Sequence, residues 1–403
     1  MADSPSWSLP LPQWLLIQAI TGLTASFTSP HSLLRHAAVV AAVALAWSVQ
    51  AAVNSPDADK KLGGPLAAMG WVNVLNAIDL LLLSRVSYQE QIEWEKKASN
   101  GSEKSAPSIF RQFGWSFNIA FNYRRVHTPW QIAYVPQFDK NDRNYIPSRL
   151  AFIGKCGLEV CIAAAMLHFF TVETTFPGLA EVMPEIARSK RVMIPSAATT
   201  LQSILVQASF TLSFGILTRS AIILPYNAVG VICVALGVCS PAAWPPVSGS
   251  LSEAYSLRQF WRSAWHQSLR RPLVASTDCL LFSLLRLTRG TLAACYIRLF
   301  LVFFMSGLVH AFMDMGFTVP LEETGSLWFF VLQVPAIIAE IIFQKFCSKT
   351  GGKLRQILGY VWVLSFLAWA TPVWIDPIIW RLYEGGIRVP SPFLFIGGHS
   401  FLE

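Results

Sequence analysis

Ala293-Ala294-Cys295-Tyr296-Ile297-Arg298-Leu299-Phe300-Leu301-Val302-Phe303-Phe304-Met305-Ser306-Gly307-Leu308-Val309-His310-Ala311-Phe312-Met313 is an apolar run with one arginine near its start and one histidine near its end. A hydrocarbon core about 30 Å thick is crossed by roughly 20 such residues in helical form. The run predicts a membrane-crossing helix. It also predicts that His310 faces protein or a polar cavity, because an ionisable side chain turned to lipid is costly.

Comparable runs lie at 11–27, 35–53, 64–84, 150–171, 199–217, 221–239, 325–346 and 356–376, with a shorter, basic stretch at 273–287. Charged residues are 13% of the 403-residue chain and hydrophobic residues 53%, whereas a soluble domain carries about 25% charged residues. A soluble globular class is excluded. The expected fold is all-α, a polytopic transmembrane helical bundle of about eight to ten helices with an internal cavity. We read residues 1–403 as a single membrane domain, with 85–149 an extramembrane or interfacial insertion and 240–320 the region of the motifs described below. The first run has no Lys or Arg before Arg35, so it reads as an anchor helix and not a removed signal peptide.

The seven cysteines, among them Cys156, Cys161, Cys233 and Cys295, sit mostly inside apolar runs without CxxC spacing. They read as small packing residues, and no disulfide framework or metal site is expected. The net charge of +8 does not point to nucleic acid, because the basic residues concentrate beside membrane segments. Between 85 and 150 ten Lys or Arg stand against six Asp or Glu, and between 240 and 290 six stand against two. The positive-inside rule places both regions in the cytosol. Three expected runs separate them, however, which would put them on opposite sides. The conflict is removed if one of 199–217 and 221–239 is re-entrant, or if the two form one unit bent around Pro225.

Within 85–149, residues 88–106 read as a charged loop with a helical start. Ile109, Phe110, Phe113, Trp115, Phe117 and Phe121 then alternate with Arg111, Arg124 and Arg125, a pattern suited to an amphipathic element lying in the headgroup layer. Residues 172–197 form a polar, proline-punctuated loop. After Pro241-Ala242-Ala243-Trp244-Pro245-Pro246, which cannot be regular helix, a helix is expected to start near Ser256, which can cap it.

Two histidines are candidates for chemistry. His266 ends Arg258-Gln259-Phe260-Trp261-Arg262-Ser263-Ala264-Trp265-His266, an aromatic and basic stretch beside the bilayer, and His310 lies deep in its run. Ser306 and Asp314 stand four residues before and after His310, so the three share a helix face. Asp314 is placed to orient the imidazole and fix its tautomer, leaving the other ring nitrogen as a general base. Packing alone would account for both histidines equally well. Arg258, Arg262, Arg270 and Arg271 can hold an anionic ligand, or serve only as positive-inside anchors. Asn73, Asn76, Gln202 and Gln207 fit interhelical hydrogen bonding, and Asp79 and Glu340 are possible cavity-lining groups.

The tract Arg258–Gln267, followed by Ser306-Gly307-Leu308-Val309-His310, resembles the paired motifs of wax-synthase-like membrane-bound O-acyltransferases. It is most similar to the fungal branch that acetylates terpenoid and meroterpenoid alcohols in secondary metabolism, and Trp130-Gln131-Ile132-Ala133-Tyr134-Val135-Pro136 is similar to a segment of that branch. Arg262 and Ala264 depart from the usual middle of the first motif. The resemblance implies an acyl-transfer cavity in which His310 is the catalytic base and His266 occupies the position of the motif's terminal polar residue, with Trp261, Trp265, Gln267, Arg258, Arg262, Ser306 and Asp314 contacting substrates. It implies acetyl-CoA as co-substrate with no bound cofactor, a hydrophobic alcohol as acceptor, and a multi-pass location in the endoplasmic reticulum. A long-chain wax-ester activity is the nearest alternative. A prenyltransferase would need paired Asp-rich motifs that the loops lack, and a transporter would show inverted repeats.

The orientation is testable at the sequon Asn100-Gly101-Ser102. With the 85–149 region cytosolic, the protein expressed in a eukaryotic cell carries no glycan there. A glycosidase-sensitive mobility shift removed by Asn100→Gln would reverse the orientation.

Overall fold

Main chain within hydrocarbon must satisfy its own amides and carbonyls, so apolar runs of crossing length fold as helices. The computed structural model describes residues 10–55, 58, 60–98, 108–175, 179–181, 183, 201–346 and 352–390. Asn100, most of the 172–197 loop and the Gln202 side chain lie outside the described residues.

In chain order the helices are α1 (Pro10–Phe27), α2 (Leu34–Asn54), α3 (Lys60–Ala77, continued by a π-helical turn Ile78–Leu83), α4 (Tyr88–Ala98), α5 (Ile109–Phe121), α6 (Arg149–Phe169) and α7 (Leu201–Ala235). There follow α8 (Arg270–Asp278, continued by a π-helical turn Cys279–Leu284), α9 (Leu292–Gly316), α10 (Ser326–Phe346), α11 (Gly352–Ala370) and α12 (Pro372–Glu384). Apart from the antiparallel pair Thr171–Val172 and Val389–Pro390, the fold is the expected all-α one.

Six stretches among the described residues are long and apolar enough to cross a bilayer: Leu34–Asn54, Leu62–Leu83, Arg149–Phe169, Ile204–Ala235, Leu292–Gly316 and Leu321–Lys345. The pair α11 and α12, bent by 50°, makes a seventh. Of the nine expected runs, 199–217 and 221–239 are one continuous helix, α7, which passes through Pro225 without breaking, and α1 is not among the stretches of crossing length and hydropathy. At about 1.5 Å per residue α7 extends roughly 50 Å, well beyond the hydrocarbon thickness. The merger also removes the parity conflict. Among the described residues only α6 and α7 cross between the two basic regions, and two crossings return the chain to the same side.

The chain divides into two compact units, Met1–Ala133 with Ser268–Leu321, and Tyr134–Gln267 with Glu322–Glu403. In the first, α3 packs against α2 and α9. Trp71 stacks on Phe312 with ring centroids 4.4 Å apart and donates from its indole to Gln50 Oε1 at 3.1 Å, and Gln50 donates in turn to the Phe312 carbonyl at 3.3 Å. Close backbone approach is set by glycines: a Cβ on Gly316 would lie 2.5 Å from the Gly63 carbonyl oxygen. Small residues allow such contacts between membrane helices.

The amphipathic element expected near 109–121 is α5. Ser108 caps it, its hydroxyl accepting from the Arg111 amide at 3.2 Å. Phe110, Phe113, Phe117 and Phe121 are exposed while Ser116, Ile119 and Ala120 are buried, so the apolar face points outward, as in a helix lying in a bilayer interface.

In the second unit α6 packs along α7, joined by Asn227 Nδ2 donating to Glu159 Oε2 at 2.6 Å. Helices α10 and α12 pack together and carry the aromatic cluster of Phe329, Phe330 and Trp374.

Gly316→Ala is expected to lower stability by about 1–3 kcal/mol through overpacking, read as thermal unfolding by tryptophan fluorescence in detergent. Gly114→Ala, where an added Cβ meets nothing within 4 Å, serves as the control and should not lower it.

Candidate active site

In the first unit, His310 sits on the sixth turn of α9. A helix carbonyl usually accepts from the amide four residues on, but a second lone pair remains available to a nearby side chain. His310 uses it: Nδ1 lies 2.7 Å from the Ser306 carbonyl oxygen. A carbonyl only accepts, so Nδ1 carries the proton and Nε2 presents a lone pair. The tautomer is thereby fixed, with Nε2 as the basic atom. The Ser306 main chain, one turn earlier, makes the tautomer-setting contact that the sequence assigned to Asp314. Asp314 is buried, 1% exposed, and its carbonyl receives the Phe317 and Val319 amides at 2.9 and 3.1 Å, closing the helix end. Ser306 is buried beside the ring.

The other predicted residues belong to the second unit. Ser256 caps a short helix as expected, its hydroxyl accepting from the Gln259 amide at 3.1 Å. That helix, Leu257–Gln259, runs straight into a π-helical turn, Phe260–Ala264. So few residues do not form a stable helix unaided. Tertiary contacts hold this one at both ends.

At the N-terminal end Glu340 of α10 accepts from the Leu257 amide at 2.7 Å, the Arg258 amide at 3.5 Å and the Trp362 indole at 3.1 Å. A carboxylate there satisfies amides that lack helical partners and complements the helix dipole. At the C-terminal end Arg219 of α7 donates to the Ala264 carbonyl at 3.2 Å, again the favoured charge for that end. Beyond it, Gly249 donates to the Ser263 carbonyl at 2.8 Å and Gln267 to the Val247 carbonyl at 2.9 Å, so His266 pairs with Ser248 in a short antiparallel bridge.

The side chains of the turn are ordered by rings. Trp261 donates from its indole to Gln333 Oε1 at 3.0 Å and lies 5.8 Å from Phe330. Trp265 stacks on Phe260 at 5.4 Å, with the His266 ring 5.7 Å away. Gln267 is buried, its side-chain amide donating to the Trp265 carbonyl at 2.9 Å. Arg258 and Arg262 are exposed; the Arg262 guanidinium lies 4.2 Å over the Tyr134 ring.

The structure thus gathers Ser306, His310 and Asp314 on one helix, and Arg258, Trp261, Arg262, Trp265, His266 and Gln267 around one clamped turn. Arg219 and Gln333 were missed. Arg219 reads in sequence as a polar break between two runs, and its meaning emerges only once those runs are one helix.

Residues 244–332 match the sequence pattern of the membrane bound O-acyl transferase family, an interval that contains every one of these expected site residues. The acetyltransferase fsoF of Humicola fuscoatra is 30% identical to the chain over 68% of the chain and 69% of that protein. The chain belongs to the membrane bound O-acyl transferase family. The acetyltransferase nanB of Aspergillus nanangensis is 27% identical over 74% of the chain and 75% of that protein. The acetyltransferase TRI7 of Fusarium sporotrichioides is 26% identical over 71% and 66% respectively. No solved structure matches. This membrane bound O-acyl transferase is therefore an acyltransferase enzyme embedded in a bilayer, and the family's reaction calls for an acyl-CoA co-substrate.

Removing the Glu340 carboxylate from this O-acyl transferase leaves the buried Leu257 amide, and the part-buried Arg258 amide and Trp362 indole, without this acceptor. Each buried donor so exposed costs about 1–3 kcal/mol. Glu340→Ala should lower the unfolding midpoint strongly and Glu340→Gln only in part, because the amide oxygen still accepts. Thermal melts of the two purified variants check the order.

Proposed function

We propose that the protein transfers an acetyl group from acetyl-CoA to a hydroxyl of a hydrophobic terpenoid or meroterpenoid in secondary-metabolite biosynthesis. Its site is the endoplasmic reticulum membrane, and residues 1–403 serve as one acyltransferase domain. The observation that carries the reading is the His310 Nδ1 contact with the Ser306 carbonyl, which leaves Nε2 as an acceptor within a crossing helix. The printed names of the fungal relatives, acetyltransferases all, support acetyl as the group moved.

The chemistry balances without an external proton source. Nε2 of His310 takes the proton of the acceptor hydroxyl as its oxygen attacks the thioester carbonyl carbon. The tetrahedral intermediate collapses, the carbon–sulfur bond breaks, and the imidazolium returns the proton to the departing thiolate. The ester and free CoA leave. His266 or Gln267 donates to the carbonyl oxygen as it gains charge. Ser306 and Asp314 contact the acceptor beside the base, Trp261 and Trp265 contact its apolar body, and Arg258 and Arg262 hold anionic parts of the donor.

A positioned general base contributes about 10²–10⁴-fold in rate. His310→Ala is expected to lower acceptor-dependent consumption of radiolabelled acetyl-CoA by at least that lower figure, with membrane insertion and detergent elution unchanged. Near wild-type turnover in this variant would remove His310 from the mechanism. Product analysis in a host fed terpenoid alcohols identifies the acceptor class, and accumulation of long-chain esters instead would replace the acetyl assignment.

A further inference from the structure

The π-helical turn that ends α3 gathers the densest buried charge in the first unit. Asp79 is fully buried there, its Oδ2 receiving Arg125 Nη2 and Arg271 Nε, each at 3.1 Å. Its Oδ1 accepts from the Ser84 hydroxyl at 2.6 Å, which accepts from Arg271 Nη2 at 2.6 Å. Arg125 is fully buried as well. It donates further to Asn76 Oδ1 at 2.7 Å and the Asn122 carbonyl at 2.8 Å, yet its Nε is buried with no acceptor. Arg35, also fully buried, approaches the same turn and bonds only to oxygens of neutral groups, including the Leu81 and Val86 carbonyls at 3.3 and 2.9 Å.

Two guanidiniums, one buried and one half-buried, therefore share one carboxylate, and a third, Arg35, bonds main-chain carbonyls of the same turn. The carbonyl end of α3 offers only about half a negative charge, so a surplus of positive charge remains where solvent screens it poorly. Burial pushes the Arg125 pKa down, while Asp79 pulls it back up. Arg271 alone of the three reaches the surface, with 27% of its side chain exposed, and its Nη1 has no protein partner among the described residues. It adjoins Pro272, which with Leu273 packs in a closed apolar seam with Val72, Leu75 and Val309, the residue before His310. The turn also leads into the basic 85–149 region that the positive-inside rule assigns to the cytosol.

We propose that Arg271, backed by the buried Arg125, binds a phosphate of the acyl donor. The group recognised is the anionic phosphate of a coenzyme A thioester, a ligand bearing a diphosphate and a phosphomonoester. The site rests on the acyl-CoA reading above and adds to it a place for the polar end of the donor, distinct from Arg258 and Arg262. A phospholipid headgroup offers the same chemistry, and the test separates the two.

The experiment compares acetyl-CoA with acetyl-pantetheine, which carries the same thioester and no phosphate, using full-length enzyme in vesicles. Wild type should prefer acetyl-CoA in kcat/KM. Arg271→Gln should raise the KM for acetyl-CoA by about tenfold, the scale of one charge-assisted hydrogen bond, and shrink the preference for it by the same factor. Arg271→Lys should restore part of the preference, and it is the variant to measure if Arg271→Gln does not fold. Absence of a preference in wild type overturns the proposal, as do equal losses with both donors. A defect that appears only in phosphatidylserine vesicles and not in phosphatidylcholine assigns the site to a headgroup and overturns it too. If wild type turns over neither donor, the acyl-CoA reading itself has failed, a result separable from the others.

Discussion

Hydrocarbon offers no water to an amide, a carbonyl or a charge, so each polar group carried into the bilayer must find its partner within the protein. Glu340 shows what this constraint produces. It lies on a helix of crossing length and is 6% exposed, a position where an isolated carboxylate would be untenable. It is tolerable because two main-chain amides and an indole converge on it. The same three contacts fix where the motif-bearing turn begins. The interaction that makes the charge acceptable thus also places Trp261, Trp265 and His266.

The opposite end of that turn obeys the same logic. Arg219 lies within a continuous crossing helix, and its guanidinium is drawn to the Ala264 carbonyl. A carboxylate on the first amides and a cation on the last carbonyl match the direction of the helix dipole. Three α-helical residues followed by a π-helical turn have little intrinsic stability, and their geometry comes from α7 and α10. A site built in this way borrows its rigidity from the spans, which suits side chains that must be held to fractions of an ångström.

Much of this was legible in the chain. Runs of crossing length fixed the all-α class, Ser256 marked the start of the motif helix, and the recurrent phenylalanines announced α5, whereas Arg124 and Arg125, expected in the same interfacial pattern, follow that helix and are buried. His310 stood out because it was ionisable in an apolar setting. What stayed hidden required knowledge of neighbours. Pro225 and Arg219 look like the boundary between two spans, and only packing against α6 shows one long helix. Asp314 has the spacing of an imidazole partner, but a main-chain carbonyl is present at every helical position and leaves no trace in sequence, so the contact of the Ser306 carbonyl, as distinct from its side chain, could not be foreseen. Asp79 and Glu340 were visible as acids within spans and read as possible cavity-lining groups, whereas both are buried on protein partners. Their roles, a centre for arginines and a cap for a distant turn, depend on residues 46 and 83 positions away.

The state of His310 follows from the same economy of charge. A neutral imidazole inside a bilayer is far cheaper than an imidazolium, and the Ser306 carbonyl fixes its tautomer by holding the Nδ1 proton without adding a charge of its own. A carboxylate at that position would favour the protonated ring and so spend the base before substrate arrived. Acyl transfer from a thioester suits this arrangement because the proton taken from the hydroxyl is returned to the thiolate in the same cycle. The ring is charged only while the intermediate is charged with opposite sign, and the pair vanishes together. Reactions that leave a net ion behind, such as hydrolysis to a free carboxylate, gain nothing from such a site, which is a physical reason for a carbonyl-held histidine to favour ester formation.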